Sequence, residues 1–148
     1  MTTEESLALY GLTPKEADLP QIRAILDREA EIERNHYNSA VGRKGDPRQR
    51  EDDLAMLSCV QLFAYGDLQD VLRIWDAKQT SMDMACYLDV QFLCGAGLEE
   101  TKAYLSTLDS ENAKEALEYI LKCEGGGDFN GFSPQSQLAG YRRYFEGG

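Results

Sequence analysis

The amino-acid sequence predicts an all-α protein in which antiparallel helix pairs stack side by side. Three observations predict it. Apolar residues recur at helical spacing along most of the chain, with no run of alternating polarity. Capping residues and glycines punctuate the chain at helix-length intervals. The stretch beginning at Leu54 repeats its residue types from Met84 onward, a shift of about 30 residues. About seven to eight helices follow from these signals.

Thr2 or Thr3 caps a first short helix through Leu9, with Glu5 three residues beyond Thr2 as in a capping box. Gly11 ends it. Thr13-Pro14-Lys15-Glu16 is a second start signal, with proline at the first helical position, and Asp18 and Pro20 restart the chain, so a short turn is expected before the next long helix. A long helix is expected from about Pro20 to His36, with Ile22, Ile25, Leu26, Ala30 and Ile32 as its apolar stripe. That stripe is narrow and Glu29 interrupts it, so this helix is expected on the outside of the core.

Residues 38–50 read as a loop, with two glycines, a proline and a local excess of base that includes Arg43, Lys44, Arg48 and Arg50. A helix then runs through Leu54, Leu57, Cys59, Leu62 and Phe63 to Gly66. Asp67 caps a second helix carrying Leu68, Val71, Leu72, Ile74 and Trp75.

The least polar stretch is Ser81 to Tyr104. Ser81 is a good N-cap and Asp83 suits the positive end of the helix dipole. Gly95 and Gly97 stand where a helix should stop. Between them Met84, Ala85, Cys86, Leu88, Val90, Phe92, Leu93 and Cys94 cover most of the circumference, so Met82–Cys94 is expected to be one interior helix. Asp89 falls among its apolar residues. A carboxylate there needs a partner such as Arg73, Lys78 or a helix N-terminus, or it serves as a functional carboxylate with a raised pKa.

Past Gly97, Leu98 to Leu108 form a further helix. Ser110 caps the next, which carries Ala113, Ala116, Leu117, Tyr119, Ile120 and Leu121 before Gly125-Gly126-Gly127. Phe129 and Phe132 are expected to plug the open end of the core. Ser133-Pro134 starts the last helix, with Leu138, Tyr141, Tyr144 and Phe145 as its buried face.

In the repeat, Ala55 meets Ala85, Val60 meets Val90, Gln61 meets Gln91 and Leu68 meets Leu98, while Cys59 meets Asp89 and Leu72 meets Lys102. A fainter third copy lies under Leu117, Ile120, Gly125 and Gly127. Helix pairs of this kind cannot bury their own apolar faces and stack on one another. The period is similar to that of ankyrin, HEAT and other helix-pair repeats, although the ankyrin T-P-L-H-x-A signature is missing. The matched glutamines could form a ladder between neighbouring pairs. The chain reads as a single helical domain over residues 1–148: N-terminal helices to 37, the loop, repeated pairs over 51–124, then a loop and final helix over 125–148.

The 148 residues carry a net charge of −11 and the pI is near 4.5. Such a surface repels nucleic acid and anionic membrane and favours a basic protein partner. No apolar run approaches the roughly 20 residues that span a bilayer. The acidic N-terminus lacks the base of an export signal, which points to the cytoplasm. Cys59, Cys86, Cys94 and Cys123 all lie in apolar helical stretches without a C-x-x-C pair, and are expected buried and reduced. With one histidine in the chain, neither a zinc site nor a di-iron site is expected, and no cofactor. Gly95-Ala96-Gly97 follows a helix instead of a strand, so it is no dinucleotide fingerprint.

Two functional expectations follow. The favoured one is a non-catalytic interaction domain, such as an inhibitor or immunity-type protein that masks a basic target. A second copy of the chain is a further candidate partner if the tyrosine-rich end helices leave apolar area uncovered. The alternative is a small-molecule binder or enzyme with its site between helices near Asp89. Trp75, Asp76, Tyr87, Asp89 and His36 are the candidate binding residues, together with Arg43 and Lys44 of the basic loop.

Overall fold

A computed structural model describes residues 1–39 and 53–147 of the chain. The described residues form eight α-helices and no strand. They are α1 (Thr3–Tyr10), α2 (Leu19–Ser39), α3 (Leu54–Tyr65), α4 (Val71–Lys78), α5 (Met82–Tyr87), α6 (Leu98–Ser106), α7 (Glu111–Gly125) and α8 (Pro134–Glu146). Short 3-10 turns precede α2 and α4, and a longer one, Val90–Cys94, follows α5. The loop expected over 38–50, with Arg43 and Lys44, lies almost wholly outside the described residues.

The caps hold the chain as the sequence predicts at five starts. Thr2, Asp67, Ser81, Ser110 and Ser133 each accept a backbone N–H from the first turn of the helix or 3-10 turn that follows. The short turn expected after Thr13-Pro14 is a 3-10 turn over Glu16–Asp18, and the long helix begins at Leu19.

The core is organised around α3. Every residue from Leu54 to Phe63 except Met56 is buried, because the helix is flanked by α1, α2, α8 and the Val90–Cys94 turn. Helix α2 is not peripheral. Leu19, Ile22, Leu26 and Ala30 are buried against α3 and α4, and Glu29 is buried with them. Gln61 is buried in α3 and ties down the N-terminal segment, its Nε2 donating to the Gly11 carbonyl at 2.9 Å. Gln91 instead donates to the Asp128 carbonyl at 2.8 Å, so the two glutamines anchor separate loops and make no ladder.

Met82–Cys94 is not one continuous helix. Helix α5 stops at Tyr87, Leu88 and Asp89 are extended, and the chain resumes as the 3-10 turn. Most of the apolar content still goes inside, with Met84, Leu88, Val90, Phe92, Leu93 and Cys94 buried, but Met82 is exposed. The interruption falls where the repeat is mismatched, Cys59 being fully buried and Asp89 exposed. A carboxylate at that position turns outward, and the helix gives way to let it.

Gly95 is right-handed and is no helix stop in the left-handed sense. It is required because a Cβ there would stand 2.3 Å from the Phe63 carbonyl oxygen, so two backbones cross in contact. Gly66 supplies the left-handed turn that ends α3, at φ +78°. Helix α8 docks through Tyr141, stacked on Phe92 at 4.6 Å and edge-on to Phe63 at 5.7 Å. Tyr144, expected in its buried face, is 58% exposed, because its hydroxyl reaches sideways to Asp53 at 2.9 Å. Phe129 is buried and packs edge-on with half-buried Phe132, closing the end of the core as expected.

Candidate functional site

Lys78 is buried, 2% exposed, and is the cation among the three buried charged residues described, the others being Glu29 and Asp70. It follows Val71, Ile74 and Trp75 at spacings of three and four, so the buried stripe of α4 carries it inward. Its Nζ donates to the carbonyls of Ala85 and Leu88. Those are end-of-helix acceptors, left open because α5 terminates there. The ammonium also lies 5.5 Å from the centre of the Tyr119 ring, and that ring packs on Trp75 at 5.5 Å. A buried cation is therefore held by two carbonyl dipoles and an aromatic face.

Asp89 stands on the solvent side of this cation. Neighbouring helices still remove enough water to raise its carboxyl above the ordinary range, while the Lys78 charge pulls it down. Burial lowers the Lys78 pKa, and the Asp89 carboxylate opposes that. On α7, burial raises Tyr119, which shares a hydrogen bond with the Cys123 thiol. Burial also raises the Cys123 thiol. A thiol kept protonated is a poor nucleophile, so the chemistry of the cluster is that of an anchor for the α5 break.

The remaining expected site residues sit on different elements. Trp75 is in the core. Asp76 is exposed and binds Arg34 of α2 at 2.9 Å. The Tyr87 hydroxyl donates to Asp53, which also receives Tyr144. Asp53 is a non-glycine residue in the left-handed region, at φ 63°, and the two tyrosines fix it there. His36 is half-buried in the last turn of α2. Arg73, considered as the partner of Asp89, pairs with Asp27 and Asp70.

All four cysteines are free, but Cys86 is exposed and Cys123 half-exposed, against the expectation that all would be buried. Burial pushes the Cys94 thiol up to about 12. Among the described residues no three His, Cys, Asp or Glu side chains gather as a metal site, and no helix is long and apolar enough to cross a membrane.

Acidic groups are distributed unevenly in their pairing. Between α2 and α4 they are matched by arginine: Arg23 grips buried Asp70 at 2.8 and 3.0 Å and reaches Asp67 at 3.2 Å. These carboxylates raise the Arg23 pKa further. On α7, Glu111, Glu115 and Glu118 project from one face, all exposed, with exposed Lys122 among them and Lys114 beside them. Among the described residues no ion pair reaches them. Leu121, 48% exposed, flanks that face. On α6, Lys102 joins Glu99 to Glu124, at 2.9 and 2.8 Å.

No family model, curated protein or solved structure matches the chain.

Proposed function

We propose that this chain is a non-catalytic protein-interaction domain that binds a basic protein through the acidic face of α6 and α7. The observation that carries the reading is the contrast between the two halves of the surface. The α2–α4 seam neutralises its own carboxylates, whereas Glu111, Glu115 and Glu118 keep theirs open beside exposed Leu121. On that face the three glutamates outnumber the exposed Lys114 and Lys122, and an excess of acid beside an apolar residue favours a partner of the opposite sign and speeds its approach.

In this reading α3–α4 and α5–α6 are two paired-helix units of a short array, and α7 presents its outer surface. The likeness to an inhibitor or immunity-type protein is one of size and charge. Four free cysteines suit a reducing compartment such as the cytoplasm.

The test is affinity capture from the source cell at moderate salt, comparing the native chain with the variant Glu111→Gln, Glu115→Gln, Glu118→Gln. A basic protein held by the native chain and lost by the variant supports the reading. Equal capture by both, or no specific protein with either, counts against it.

A second reading has one observation behind it. The raised Asp89 carboxyl beside Lys78, with Tyr119 and Cys123 nearby, is the kind of perturbed cluster that small-molecule sites use. It requires that Asp89→Asn abolish binding of a ligand found by thermal-shift screening.

A further inference from the structure

The first turns of α6 and α8 face each other across an open cleft of about 410 Å3, within the size range of ligand sites. Half-buried Leu98, Phe132 and Pro134 give it apolar walls, and exposed Glu99, Glu100 and Gln135 stand along its margin. Phe132 is held by its edge-on partner Phe129 at 5.2 Å.

Two helix N-termini would ordinarily favour an anion here, but that of α8 is capped and that of α6, which no side chain caps, has a carboxylate of its own beside it. At α8, Ser133 Oγ accepts the Ser136 N–H at 3.1 Å, Ser136 Oγ accepts the Ser133 N–H at 3.3 Å, and Pro134 has no N–H to offer. At α6, the Glu100 carboxylate curls back over Gly97, so closely that a Cβ on that glycine would stand 2.3 Å from its Oε1. Lys102 is engaged with Glu99 and Glu124, and Glu99 keeps a side chain 77% exposed. Among the described residues no cation pairs with Glu100. The balance at the cleft is thus negative above an apolar floor.

We propose that this cleft is the slot for an arginine or lysine side chain of the basic partner. The methylene stem lies on Leu98, Phe132 and Pro134, and the cationic head meets Glu99 and Glu100. Arginine fits better, because its flat guanidinium both stacks on an aromatic ring and pairs with carboxylates. A carboxylate ligand would face two glutamates, and a wholly apolar one would strip water from them without return. The proposal rests on the reading of the chain as a binder of basic protein, and adds the place and the side chain.

The experiment is backbone amide shift mapping on the full chain with three probes: acetyl-Leu-Arg-Leu-Arg-amide, acetyl-Gly-Arg-Gly-Arg-amide and acetyl-Leu-Gln-Leu-Gln-amide. Saturable shifts concentrated at residues 96–100 and 132–135 are expected with the first, weaker ones with the second and none with the third. The surface variant Glu99→Gln, Glu100→Gln should weaken the first probe about five-fold, as loss of two exposed ion pairs implies. Phe132→Ala should weaken it by a similar factor. Shifts that fall on α7 instead, or undiminished binding by the glutamine variant, overturn the slot and leave the basic-partner reading standing. Absence of shifts anywhere with either arginine probe counts against both.

Discussion

Replacing Lys78 by alanine removes the donor that closes the end of α5. Two carbonyls, that of part-buried Ala85 and that of buried Leu88, lose their partner, at about 1–3 kcal/mol each. Three buried methylenes go as well, worth about 0.8 kcal/mol apiece. Release from the cost of keeping an ammonium away from water offsets part of this, which leaves a net loss of about 3–5 kcal/mol, the usual cost of removing one member of a buried charged set. For a chain of this size that is a fall in melting temperature of about 10–15 °C. Lys78→Met keeps the packing and should cost only about 1–3 kcal/mol.

Burial lowers the Lys78 pKa below 10.5, so the folded chain gives up this proton at lower pH than the unfolded chain does. The penalty for the buried charge is constant below the folded pKa and fades as pH climbs toward 10.5. Stability of the native chain relative to Lys78→Met therefore rises through the alkaline window. Urea melts of the three proteins at neutral and alkaline pH, with amide exchange at Leu88 to Val90, provide the measurement. A loss below about 1 kcal/mol for Lys78→Ala would refute the assignment, as would a relative stability that falls with rising pH.

Other expected outcomes follow from the same packing. Arg23→Ala leaves Asp70, 2% exposed, with only the looser contact to Arg73 at 3.4 Å, and should cost about 2–4 kcal/mol in urea denaturation, whereas Arg34→Ala at an exposed pair should cost under about 1 kcal/mol. Gly95→Ala drives a Cβ to 2.3 and 2.8 Å from the Phe63 backbone and should cost about 3 kcal/mol or more. Gly125→Ala meets nothing within 4 Å, so it should be neutral or stabilising by up to about 1 kcal/mol. Tyr144→Phe loses one hydrogen bond to Asp53 at an exposed position, a cost of about 0.5 kcal/mol in thermal melts.

Local signals were the most legible part of the sequence. Ser81, Ser110 and Ser133 cap helices for reasons that lie within four residues of each. Gly95 was visible, but its cause was not, since it depends on a backbone thirty-odd residues away at Phe63. The broken central segment escaped periodicity for a similar reason. Leu88 extends because Lys78, ten residues earlier, supplies the hydrogen bonds that a continued helix would have made. The clue was present in the Val71, Ile74, Trp75, Lys78 spacing, which puts a lysine on an apolar stripe. Asp89, the more conspicuous charge in the sequence, is exposed. The element packed on most sides is α3, not Met82–Cys94. The composition does separate them, since Leu54–Tyr65 carries no charged residue and Met82–Cys94 carries Asp83 and Asp89. The cleft between α6 and α8 joins residues far apart in sequence and left no local mark.

The most direct measurement is the affinity of the captured basic partner, by titration calorimetry between about 50 and 300 mM salt. Binding should weaken steeply as salt rises, and the Glu111→Gln, Glu115→Gln, Glu118→Gln variant should bind more weakly with a shallower dependence. An affinity indifferent to salt, or unchanged in that variant, would contradict the assignment of the α6–α7 surface as the binding face.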